Sequence, residues 1–244
     1  MMPIHAPAGG LVLFWKDDRH GPLPLLLLVL TTVTGLVDAL SYLKLGHVFV
    51  ANMTGNVVFL GFAVADAQDF SIPASLAAIA AFLAGAAAGG RLAASAGHHR
   101  GRLLAIGTSL QTVLVGMALA VVMVVRDQDG AAVSYALIVL LALAMGIQNA
   151  IARRLGVPDL TTTVLTLTLT GLAADSRMAG GSHPYPGRRL AATATMFLGA
   201  AVGTVLVLRV GAHAVLVLVL VLLALTAIAA YRSSSSSAPW TAGS

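Results

Sequence analysis

The chain has no cysteine and no glutamate, and only 9% of its 244 residues are charged, where a soluble globular chain carries roughly 25%. Without cysteine there are no disulfides and no thiol chemistry, and the redox compartment is left undetermined. Without glutamate, every acidic residue is an aspartate that can be located and questioned singly. The sequence has no His-Glu pair at metalloprotease spacing, no P-loop and no glycine-framed serine nucleophile, so it predicts no enzyme, no catalytic residue and no cofactor. A pair of intramembrane aspartates would suit proteolysis, but Asp38 is the only one clearly inside an apolar run. His98 and His99 stand before Arg100 with no acidic or thiol partner in the segment, so no metal site is expected.

What is present is apolar sequence, 58% of the residues with a mean hydropathy of +0.93. That composition predicts an all-α integral membrane protein in a lipid bilayer. Eight runs are candidates, near 23–43, 48–65, 72–96, 103–125, 132–152, 158–174, 190–208 and 212–231. Barrel strands alternate apolar and polar residues, whereas "AVLVLVLVLLALTAIAAY" is apolar all round. The net charge of +5 would suggest nucleic acid in a soluble chain. Here the basic residues flank apolar runs, where they set topology beside anionic lipid, and no nucleic-acid partner is expected. Residues 1–21 lack a convincing cleavable signal and read as a cytoplasmic segment, with the first full run as an uncleaved anchor. Residues 22–231 read as one transmembrane domain, and the serine-rich stretch 232–244 as a disordered tail.

Two runs are polar in their middles. "VFVANMTGNVVFLG" carries Asn52, Thr54 and Asn56, and "PDLTTTVLTLTLTG" carries six threonines, among them Thr162, Thr166 and Thr170. A shift of 110 residues takes Lys44-Leu45-Gly46 onto Arg154-Leu155-Gly156, Gly61 onto Gly171, Asp38 onto Gln148, Asn52 onto Thr162 and Asn56 onto Thr166. A shift of 114 takes Gly85 and Gly89 onto Gly199 and Gly203. Two pseudo-symmetric repeats follow, residues 22–126 and 131–231.

If all eight runs cross, the 14 Lys and Arg divide evenly between the two sides. If runs two and six enter and leave by one face, eleven fall on the side of both termini and three, Lys44, Arg126 and Arg209, on the other. That asymmetry favours six crossing helices plus two re-entrant or broken segments, inverted repeats and cytoplasmic termini, with eight crossings as the alternative.

Helical spacing puts Asn52 and Asn56 on one face and suggests that the helix opens at Gly55, offering backbone groups to a solute. Asp38 lies about five residues inside the end of its run, on a stripe with Thr31, Gly35 and Tyr42, and reads as a proton or cation coupling group, as a partner of Lys44, or as a cap on the broken second run. Its counterpart Gln148, with Asn149 beside it, is uncharged. Gln111 reads as a packing hydrogen bond, Asp159 as the N-cap of run six, and the glycine patterns as sites of close helix contact that also suit a homo-oligomer.

The stretches "GLVDALSYLKLGHVFVANMTGNVVFLG" and "GIQNAIARRLGVPDLTTT" resemble the YoaK-like family of bacterial membrane proteins, known mainly as a domain of unknown function. The likeness runs from about Leu25 to Tyr231 and is most specific at "VDA", "VFVANMTGN" and "QNA". It implies a bacterial cytoplasmic membrane location and makes Asp38, Asn52, Thr54, Gly55, Asn56, Gln148, Asn149 and Thr162 the signature positions, without supplying a substrate. One departure is the glycine of run six, displaced to Gly171. From the residues themselves two functions stand. One is a secondary transporter or channel for a small solute, neutral or cationic rather than anionic, bound by Asn52, Thr54, Asn56, Gln148, Asn149, Thr162 and Thr166. The other is a noncatalytic membrane scaffold whose polar stripes serve packing.

Overall fold

A computed structural model describes residues 20–95, 99–125, 130–160, 165–175, 180, 186–234 and 239–241. Eight helices follow in order: α1 Leu23–Lys44, α2 Met53–Val64, α3 Ile72–Ser95, α4 Arg100–Val124, α5 Ala131–Leu155, α6 Leu165–Ala174, α7 Pro186–Arg209 and α8 Ala212–Ser234. No strand forms among the described residues. Six of the helices are long and apolar enough to cross a membrane, and α2 and α6 are the shorter exceptions. With twelve residues in α2 and ten in α6, they extend about 18 and 15 Å, against a hydrocarbon core of about 30 Å.

Both short segments begin and finish at one end of the bundle. In the first, His47 Nδ1 lies 3.1 Å from the Asp69 carbonyl oxygen, so the chain entering after α1 meets the chain leaving before α3. In the second, Arg189 joins Asp159, before α6, to Asp175, just after it. The fold therefore has six crossing helices and two re-entrant elements.

Helix pairing follows the repeat. α1 packs along α7 and α5 along α3; α1 also meets α8 as α5 meets α4, and α2 lies on α3 as α6 lies on α7. Glycine makes the two longest seams. A Cβ on Gly35 would stand 2.7 Å from the Ala200 nitrogen and overlap the Met196 carbonyl, and Gly203 faces the Leu36 carbonyl in the same seam. In the other seam, a Cβ on Gly146 would stand 2.7 Å from the Ala86 nitrogen and overlap the Phe82 carbonyl, and Gly89 faces Ile147 and Ala150. The small-residue patterns are thus consumed by packing within the chain, where backbones approach closely.

Residues beyond Arg232 are not all without structure: α8 continues to Ser234, and a 3-10 turn, Pro239–Thr241, buries Trp240. The indole lies over Gly21 and Gly101, at the starts of α1 and α4, where a Cβ would come within 2.7 and 3.3 Å of it. A flat ring needs the space that those two glycines leave open.

Candidate functional site

Residues 46–52 run without helical hydrogen bonding between α1 and α2, burying Val48 and Val50 while Phe49 points the other way. An extended segment with no neighbouring strand leaves its N–H groups unpaired, and in an apolar interior each costs about 1–3 kcal/mol. Two side chains meet that demand. Asp38 Oδ1 accepts from the N–H groups of Val50 at 3.1 Å and Ala51 at 2.9 Å. The Asn56 carboxamide pairs with the Phe49 peptide in both directions, Oδ1 accepting from its N–H at 2.8 Å and Nδ2 donating to its carbonyl at 2.6 Å. Asp38, expected to partner Lys44, act in coupling or cap the break, is placed as the anchor of the entering segment.

The opening is not at Gly55. It lies upstream, and α2 is already helical from Met53, the Gly55 N–H bonding the Asn52 carbonyl at 3.1 Å. Gly55 is required by packing, because the Phe49 ring stands 2.6 Å from where its Cβ would be. Phe49 stacks in turn on Tyr42 and Phe59 in an aromatic cluster that reaches Phe62 and Phe70. Nor do Asn52 and Asn56 share a face: Asn56 is fully buried against Phe49, while Asn52, at the N-cap, is partly exposed and makes no capping bond.

The second re-entrant element is fastened by charge. Arg189 Nε donates to Asp159 Oδ1 and Nη1 to Asp175 Oδ2, both at 2.8 Å, and the guanidinium passes where a Cβ on Gly171 would be. Asp159, expected as the N-cap of run six, stands at φ 65° and gives Oδ1 to Arg189 as one arm of this clamp. Thr162 lies outside the described residues. Removing one partner of a largely buried ion pair costs about 3–5 kcal/mol. Arg189→Gln is expected to release α6, seen as faster amide exchange over residues 165–175. Asp175→Asn, on the half-exposed arm, is expected to do so less.

The amides of α4 and α5 are used internally. Gln111 Nε2 donates to Gln148 Oε1 at 2.9 Å and to the Ala144 carbonyl, and Gln148 Nε2 donates to Thr34 Oγ1 at 2.9 Å, tying α4, α5 and α1 together. Asn149 Nδ2 donates to the Met145 carbonyl. The glycine seams also correct the register. They place Gly35 opposite Gly146 in the repeat, a shift of 111, so the counterpart of Asp38 is Asn149 and not Gln148.

A different set of polar groups is left unspent. A cavity of about 530 Å³ is lined by Ala51, Asn52, Met53, Thr54 and Gly55 at the start of α2, Leu165 and Thr166 at the start of α6, Phe82 of α3 and Met196 of α7. Threonines elsewhere in the bundle, such as Thr31, Thr34, Thr108 and Thr226, donate back to the carbonyl four residues earlier. Thr54 stands too near the start of α2 for that bond. Asn52, Thr54 and Thr166 make no side-chain hydrogen bond among the described residues. Of the sequence-predicted site, the structure brings together Asn52, Thr54 and Thr166 and sets Asp38, Asn56, Gln148 and Asn149 outside the cavity wall. Sequence reasoning missed Phe82, Met196 and Leu165, which carry no signal beyond being apolar in an apolar chain, and the clamp of Arg189.

Six membrane-length helices and two re-entrant segments sharing a polar-lipped cavity define a multi-pass helical membrane protein. Residues 26–228 match the family described as protein of unknown function (DUF1275), and the chain belongs to that family. It is similar to the UPF0700 transmembrane protein YoaK of Bacillus subtilis (strain 168), 34% identical over 150 residues, a match covering 62% of this chain and 65% of that protein. No solved structure matches it.

Proposed function

We propose that the chain is a non-enzymatic carrier or channel passing a small solute across the bacterial cytoplasmic membrane, with the cavity between α2 and α6 as its binding site. The observation that carries this reading is the meeting there of three polar side chains, Asn52, Thr54 and Thr166, that make no side-chain hydrogen bond among the described residues. Thr54 and Thr166 are exposed and Asn52 is partly exposed, so their hydrogen-bonding groups are open to a solute in the cavity rather than turned into a neighbouring helix. The cavity's size falls within the roughly 300–1,000 Å³ of small-molecule sites. Its place, between broken segments of two inverted repeats, is where transporters hold their solutes. The positive-inside count puts both termini in the cytoplasm, so that α2 enters from outside and α6 from within.

Asp38 takes part from behind the wall, through Ala51. Its Oδ2 is buried with no partner among the described residues, so a coupling proton would reside on that oxygen while Oδ1 keeps its two N–H groups. The scaffold reading finds less support, since the glycine patterns that would join copies are occupied within the chain.

Thermal unfolding of the purified protein across a library of small solutes tests the proposal. A bound solute at a hundred times its Kd adds about 2.7 kcal/mol, and the expected result is stabilisation of the wild type that is lost in the Asn52→Leu, Thr166→Leu double variant. Stabilisation equal in both, or none with any solute, would remove the cavity as the site.

A further inference from the structure

Resting on the reading of the cavity as a solute site, we propose that its solute is uncharged: a small organic molecule with hydrogen-bonding groups and an apolar portion, ions of either sign being turned away. The lining is a carboxamide, two hydroxyls, two methionine side chains, an aromatic ring, small residues and a leucine, and none of the described lining residues carries a charge. An ion held against such a wall would find hydrogen-bonding groups but no counter-charge to offset the hydration it gives up.

The charged groups of Asp38 and Arg189 are already engaged. The Asp38 carboxylate spends Oδ1 on two peptide N–H groups and lies behind the Ala51 peptide, outside the wall. The Arg189 guanidinium is held by Asp159 and Asp175. The start of α2 would by itself favour negative charge, but the Asp38 carboxyl bonded two residues upstream of Met53 offsets it. What remains is a surface that offers hydrogen bonds from Asn52, Thr54 and Thr166 and dispersion contacts from Met53, Phe82 and Met196. That combination suits a neutral, partly apolar solute and, of the neutral and cationic solutes that the sequence leaves open, favours the neutral one.

Because the chain has no native cysteine, one introduced thiol reports on the cavity alone. The probe is Thr166→Cys in membrane vesicles, treated with three thiosulfonates of one chemistry and different charge: methyl methanethiosulfonate and its trimethylammonioethyl and sulfonatoethyl analogues. Each rate is divided by that reagent's rate at Ala67→Cys, an exposed position between α2 and α3. The expected result is that both charged reagents label Cys at 166 roughly tenfold or more slowly than the neutral one. Charged reagents within about threefold of the neutral one would overturn the uncharged class while leaving an accessible cavity in place. No labelling by any reagent, from either side, would overturn the site itself and the class with it. Thr54→Cys, on the opposite lip, gives the same three-way comparison should the first variant fail to fold.

Discussion

Asp38→Leu is expected to leave a protein that no longer holds its fold in detergent, while Asp38→Asn stays folded. Leucine removes the acceptor of two buried N–H groups, those of Val50 and Ala51. At about 1–3 kcal/mol for each unsatisfied donor, the loss is about 2–6 kcal/mol, a large part of the stability of most folds. Asparagine keeps one oxygen where Oδ1 is, and its amide nitrogen replaces an Oδ2 that has no partner to lose. Unfolding midpoints of the two variants, measured side by side, check this. Equal destabilisation by both would mean that the charge of Asp38, rather than its oxygen, holds the segment. The pair also isolates the coupling role: with a foldable Asp38→Asn, solute stabilisation is expected to persist while any proton-driven uptake disappears.

Gly146→Ala is expected to destabilise and Gly90→Ala to be neutral or stabilising, although both replace a glycine inside a helix with the same residue. At Gly146 the new methyl would meet backbone atoms of α3, the Phe82 carbonyl and the Ala86 nitrogen. Backbone cannot rotate away as a side chain can, so α3 and α5 must part along their whole seam. Overpacking of this kind costs about 1–3 kcal/mol, occasionally more, and here it falls at the upper end. Gly90 has nothing within 4 Å of its would-be Cβ, so alanine adds only helix propensity, up to about 1 kcal/mol in its favour. Thermal unfolding of the two variants reads the opposite signs. The same contrast is expected between Gly35, in the seam of α1 with α7, and Gly116, which also faces open space.

The eight helical runs and the re-entrant character of two of them were legible because both follow from quantities that sequence carries directly: apolar run length and the side on which Lys and Arg fall. The position of the break was not. "HVFVANM" reads as helix or extended chain equally well, and what decides is Asp38 reaching twelve and thirteen residues ahead to Val50 and Ala51. Asn56 looked like a partner of Asn52 because helical spacing was extended through a stretch that is not helical at its start. Asp159 reads as a local cap because its partner Arg189 lies thirty residues on and reads as a topology charge; a side chain that does both carries one signal in the sequence. Gln148 took the place of Asn149 as the counterpart of Asp38 through a single-residue difference in spacing, Gly35 to Gly46 against Gly146 to Gly156. Trp240 was hidden in a serine-rich stretch whose composition argued for no packing at all.

At the cavity, the sequence supplied the polar residues but could not sort the used from the unused. Sorting needs the partners. Asn56 and Gln148 spend their amides on the bundle, and Asn52, Thr54 and Thr166 do not. The most direct test of this account is whether the interrupted segments of the two halves meet there. Asn52→Cys with Thr166→Cys, in an otherwise cysteine-free chain, is treated with a short bismaleimide and read by intact mass. Intramolecular bridging of the pair is predicted. Two separately modified thiols and no bridge, at any reagent concentration, would contradict it.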